Sequence, residues 1–168
     1  MDATYGAGTR APWRGTRSGK SRPSGLASEP GAAGRARALY GAVDLGTNNC
    51  RLLIAAPCQD GFVVVDAFSR IVRLGEGLSA TGFLNEDAML RTIEALRVCA
   101  NKLTWNKVYR RRLVATEACR MAKNGSEFIA RVQSETGLSL EIIDRKIEAS
   151  LAAAGAEPLI EEGAEKAL

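Results

Sequence analysis

The sequence predicts an α/β domain, a mixed β-sheet with helices on its faces, behind a disordered N-terminal tail. Three observations lead there. Between Leu39 and Leu74, three apolar segments rich in β-branched and aromatic residues are separated only by tight turns, the pattern of an antiparallel meander. Beyond Leu74, stretches of helical periodicity alternate with short apolar runs, which calls for a sheet covered by helices. Residues 1–38, by contrast, hold no large apolar residue after Met1 except Tyr5, Trp13 and Leu26. Such a segment cannot bury enough surface to offset its ordering entropy. The expected division is a disordered basic tail over 1–38 and a folded domain over 39–168.

Each element has its own signal. Leu39–Leu45 and Cys50–Ala56 are apolar strands joined by the tight loop Gly46-Thr47-Asn48-Asn49, a β-hairpin. Pro57-Cys58-Gln59-Asp60-Gly61 is a turn, with Asp-Gly its strongest cue. Phe62–Leu74 reads as a long third strand. Gly75-Glu76-Gly77 continues as a Gly-rich loop. Asn85 is placed to cap a helix whose first turn holds Glu86 and Asp87. Met89, Ile93, Leu96, Ala100 and Leu103 recur at three- and four-residue steps, so one face is core and the helix runs to Lys102 or Leu103. Arg112–Thr116 is a short strand after the run Arg110-Arg111-Arg112, which reads as a solvated edge. A helical stretch follows to Met121, and Asn124-Gly125 breaks it. Ser126 caps the next helix, which contains Phe128, Ile129 and Val132 and ends at Gly137. Leu138–Ile143 alternates as a fifth strand. The remainder is helical, with a break over Gly155–Pro158. The order β-β-β-α-β-α-β-α is that of a ribonuclease H-like domain, the arrangement of actin, sugar kinases and heat-shock chaperone ATPases.

Composition narrows the function. The tail carries Arg10, Arg14, Arg17, Lys20, Arg22, Arg35 and Arg37 against Asp2 and Glu29, so the basic pI belongs to the tail, and the domain is nearly neutral. A basic tail can make nonspecific contacts with polyanions, although a solubilising segment is the plainer reading. The opening is Arg- and Ser-rich like a transit peptide, but it lacks an apolar stripe at helical spacing and any secretory h-region. No stretch approaches the roughly 20 apolar residues of a membrane span, so no membrane partner is expected. Cys50, Cys58, Cys99 and Cys119 form no C-x-x-C pair, and the chain has no His. The usual zinc spacings are therefore absent, and reduced thiols in a cytoplasmic protein are the expectation. Without His, nucleophilic triads are excluded within the chain, and acid–base work falls to carboxylates.

The chemistry concentrates in Val43-Asp44-Leu45-Gly46-Thr47-Asn48-Asn49. Gly46 lets the backbone turn and a ligand come close. Thr47, Asn48 and Asn49 offer side-chain donors beside free backbone N–H groups, which suits phosphate oxygens. Asp44 can hold a hard cation or orient a water.

Four segments in order resemble the exopolyphosphatase / guanosine pentaphosphate phosphatase (Ppx/GppA) family. Val43–Asn49 is similar to its V-D-L-G-S/T-N-S loop, and Val72-Arg73-Leu74-Gly75-Glu76-Gly77-Leu78 to its V-R-L-G-x-G-L loop. Ala115-Thr116-Glu117-Ala118-Cys119-Arg120 is similar to A-T-x-x-x-R. Glu141-Ile142-Ile143-Asp144-Arg145-Lys146-Ile147-Glu148-Ala149-Ser150-Leu151 is similar to E-I-I-S-G-x-E-E-A-R-L. The resemblance covers residues 39–168. It implies hydrolysis of the terminal phosphoanhydride of inorganic polyphosphate or guanosine pentaphosphate with Mg²⁺. Asp44 would bind the metal or order a water. Gly46, Thr47, Asn48 and Asn49 would form a phosphate loop, Arg120 would clamp phosphate, and Glu148 would be the catalytic base. A homodimer is compatible with the family.

The chain departs from the family pattern at Ile147, where the first Glu of the E-E pair belongs, and at Ser150, where an Arg belongs. It also lacks the family's second phosphate loop, D-I-G-G-G-S. The resemblance thus implies the first of two duplicated domains, with the active site between them. A truncated, non-catalytic binder of polyphosphate or nucleotide is the alternative. A sugar kinase or ATPase of the same superfold is permitted by the loop after Asp44 but not supported by the second and fourth segments.

Overall fold

A computed structural model describes residues 38–59 and 61–156; the expected disordered tail and the Gly155–Pro158 break fall wholly or partly outside them. Strands β1 (Tyr40–Leu45), β2 (Asn49–Cys58) and β3 (Gly61–Ile71) form the expected meander. The chain continues through α1 (Leu78–Thr81), α2 (Glu86–Trp105), β4 (Arg110–Ala115), α3 (Glu117–Met121), α4 (Gly125–Thr136), β5 (Glu141–Ile142) and α5 (Arg145–Ala156). The sheet order is β3-β2-β1-β4-β5. β1 runs antiparallel to β2 and parallel to β4, and β4 is parallel to β5. This is the ribonuclease H-like mixed sheet.

Strict alternation along β1 and β2 buries Val43, Leu45, Cys50, Leu52 and Ile54 on one face of the sheet. That core cluster takes in Ile93, Leu96, Cys99 and Leu103 of α2 and Phe128 and Val132 of α4. Cys50 and Cys99 meet inside it, with Sγ atoms 3.9 Å apart. The hydrogen bond between them and their burial hold the Cys50 thiol protonated. The opposite parity, Ala42, Asp44 and Arg51, faces the other side of the sheet, where α5 lies over a cleft.

Several boundaries differ from expectation for identifiable reasons. β2 runs on through Pro57 to Cys58, leaving a loop of only two residues before β3. The proline is tolerated because the β1 ladder stops at Ala55, so its missing N–H costs no pairing there. β4 starts at Arg110, two residues early, because it matches β1 residue for residue from Tyr40. α2 ends at Trp105 through an Asn106 N–H bond to the Lys102 carbonyl and a left-handed Lys107, with no glycine to announce the stop. Ser126 is not the cap of α4; Asn124 occupies that position, and its amide holds Leu84 by a bond to each backbone group, 2.8 and 3.1 Å. Gly125 is required there because a side chain would run into the Cys119 carbonyl. β5 is shorter than Leu138–Ile143, pairing only beside Val114 and Ala115, although Leu138, Leu140 and Ile143 are all buried.

Candidate active site

The hairpin loop between β1 and β2 is braced by main chain. Gly46 N donates to Asn49 O at 2.9 Å. Val72 N and Arg73 N both donate to Asn48 O, at 2.9 and 3.0 Å, and Gly75 N donates to Thr47 O at 2.9 Å. Arg73 turns the chain through a left-handed conformation, φ 49°. Gly75 lies so close to the Thr47 methyl that a side chain there would displace it. The second Gly-rich segment, whose sequence alone read as a turn, thus buttresses the first. Among the described residues, Thr47 N–H and Asn48 N–H donate to no other group. Two free amide donors with neighbouring carbonyls already occupied make a rim suited to an anion.

Asp44 stands two residues before this loop, on the open face of the sheet. It lines a cleft of about 820 Å³ together with Arg51, Thr116, Ile143 and Glu148, and with Phe68 and Leu151 as apolar walls. Burial of its carboxylate raises its pKa; Arg51 opposes the rise, and the like charge of Glu148 adds to it. Arg51 is the cross-strand partner of Asp44 in the hairpin register. Thr116 is buried at the end of β4, where its N–H donates to Leu45 O at 3.0 Å.

Glu148 reaches the cleft from the first turn of α5. That turn is set by Asp144, whose carboxylate accepts from Ile147 N at 2.8 Å and whose carbonyl accepts from Glu148 N at 3.0 Å. Asp144 therefore caps the helix that carries Glu148. Arg120, at the end of α3, donates to Ile143 O and places both terminal nitrogens 3.4 Å from one Glu148 oxygen. Any anion reaching Arg120 would compete with that carboxylate.

Asp44 and Glu148 are thus brought to one cleft and Arg120 to Glu148, while Gly46, Thr47, Asn48 and Asn49 lie beyond the cleft lining at the hairpin tip. Arg51 and Thr116 were not singled out as site residues from sequence. The signal for Arg51 was the hairpin itself: a four-residue loop closing on Leu45 and Cys50 puts Arg51 opposite Asp44. Among the described residues, no group of three or more His, Cys, Asp or Glu could cage a metal ion. Two carboxylates facing one cleft supply hard oxygen donors of the kind a divalent cation accepts when it completes its shell with phosphate and water.

The sequence model of the Ppx/GppA phosphatase family matches residues 53–167, more than half of the chain. The chain belongs to the Ppx/GppA family. Solved members share its fold. The Aquifex aeolicus family member is 34% identical with TM-score 0.68, and the match covers 72% of this chain and 40% of that one. An exopolyphosphatase from Cytophaga hutchinsonii is 31% identical with TM-score 0.64, covering 67% of this chain and 36% of that one. This Ppx/GppA chain therefore spans about two fifths of the length of the solved relatives it matches. No helix among its described residues is long and apolar enough to cross a membrane.

Proposed function

We propose that this chain supplies one wall of a phosphoanhydride hydrolase that removes terminal phosphate from inorganic polyphosphate or guanosine pentaphosphate. The observation that carries this reading is the convergence of Asp44 and Glu148 on one cleft, with Arg120 held against Glu148. Attack of water on a terminal phosphoryl group demands positioning and charge neutralisation more than covalent chemistry. Glu148 takes the proton of the attacking water. Arg120 exchanges its contact with Glu148 for phosphate oxygens as a forked donor. The free N–H groups of Thr47 and Asn48 receive the transferred group's oxygens, with Gly46 and Asn49 shaping the loop. Asp44 is the residue that would hold Mg²⁺, which when bound would neutralise charge on the phosphoryl oxygens.

The test is phosphate release from polyphosphate and from guanosine pentaphosphate with Mg²⁺ by a protein that joins this chain to the family's second domain, comparing wild type with Glu148→Gln. Removal of a general base is expected to lower kcat by about a hundredfold or more, with little change in KM. Equal rates would remove Glu148 from the chemistry. Wild-type binding without release would leave the reading of a non-catalytic polyphosphate or nucleotide binder.

A further inference from the structure

A second surface lies at the far end of the sheet, around the turn from α2 into β4. Trp105 is 88% exposed, Tyr109 65% and Tyr40 44%. Tyr40 and Tyr109 meet edge to face, ring centroids 6.3 Å apart at 85°. The Arg110 guanidinium sits over the Tyr109 ring, 5.5 Å from its centroid. Lys107 and Arg111 flank a hollow of about 360 Å³ whose floor includes Thr104 and Tyr109.

The charges here are available. Lys102 and Arg112 nearby are paired with Asp66 and Glu141. Among the described residues, Lys107, Arg110 and Arg111 make no ion pair. The surface is also separate from the cleft. Tyr40 pairs with Arg110 at the start of β1, four residues before Asp44, roughly 13 Å along the strand.

A solvated cationic edge explains the arginines but not the aromatics between them. Side chains as large as Trp105 and Tyr109 are costly to leave in water, and cations alone do not require them. We propose that this surface binds single-stranded nucleic acid. Lys107, Arg110 and Arg111 meet the phosphates, and Trp105 and the Tyr109 face opposite Arg110 offer surfaces on which bases stack, as in other strand-binding grooves. Inorganic polyphosphate satisfies the cations equally but has no base to stack, so the aromatics select the nucleic acid.

The test uses the 168-residue chain and a fluorescein-labelled oligouridylate of about 12 nucleotides, read by anisotropy. Trp105→Ala and Tyr109→Ala should each weaken binding about tenfold, the loss expected for one stacked base. Competition by inorganic polyphosphate should be unchanged in both. Both side chains are exposed, so circular dichroism should match wild type. Arg110→Gln with Arg111→Gln should reduce the slope of affinity against salt by about 2. Unchanged affinity in Trp105→Ala, or an abasic ribose-phosphate oligomer bound as tightly as oligouridylate, would reduce this to a plain electrostatic surface and overturn the proposal. Absence of any binding would overturn it as well. None of these variants touches Asp44, Arg120 or Glu148, so their outcome stands apart from the reading of the cleft.

Discussion

Asp44 is kept in a place that does not suit it. Its pKa is raised from the ordinary 3.8, first by burial and then by Glu148, with Arg51 only partly compensating. A carboxylate whose folded pKa lies above its unfolded value favours the native state only when protonated. That contribution is complete below the unfolded pKa and is lost as pH rises through the folded one. At pH 7 the ionised Asp44 therefore destabilises the fold. Asp44→Asn should melt higher than wild type at pH 7, by on the order of 1 kcal/mol or less because solvent screens the site. The difference should close as pH falls through the raised pKa, and phosphate release should be lost. A melting curve for each protein at several pH values, beside an activity assay, checks both halves. A variant that is more stable and less active marks a residue retained for chemistry.

At the scale of elements, the weak link is α5. It carries Glu148 but has no buried residue. Its start rests on Asp144, which accepts from Ile147 N. Asp144→Ala should cost about 1 kcal/mol of helix stability through loss of the cap. With so little packing to compensate, Glu148 should lose its place and phosphate release should fall severalfold, while Asp144→Ser should restore it. Amide exchange over residues 147–150 separates this from a general loss of fold. The cap was not foreseen, because the departures at Ile147 and Ser150 drew attention to missing charges rather than to the carboxylate opening the helix. The α2 cap, in contrast, was legible. Asn85 precedes two acids and a regular apolar face, and its side chain does accept from Asp87 N at 2.8 Å.

For the whole molecule, stability should be graded across the sheet. β1 is central, between β2 and β4, and its buried residues join α2 and α4 in the core. Native-state hydrogen exchange should find β1, β2 and the middle of α2 slowest and α5 far faster. Protection of α5 equal to that of α2 would show that this grading is wrong. The element order was readable from sequence because strand and helix periods differ and local turns are explicit. What was not readable depends on partners distant in sequence. β4 took its length from β1, β5 lost its ends because only Val114 and Ala115 pair with it, and Arg112 entered the cleft wall although it read as part of a solvated edge. The cleft was half-legible for the same reason. Asp44 lies inside a recognisable loop, whereas Arg51 and Thr116 acquire meaning only through the register of neighbouring strands.

The bracing of the hairpin tip has a further consequence. The contacts of Gly46, Val72, Arg73 and Gly75 with the tip are main chain to main chain. Neither acid nor salt titrates such contacts, and apart from a proline, side-chain replacement leaves their donors and acceptors in place. Lineages of this protein can therefore exchange the outward groups of this corner, altering what it recognises, while the frame stays fixed. That freedom narrows at Gly75, where any side chain would meet Thr47, and at Arg73, whose left-handed backbone disfavours branched replacements.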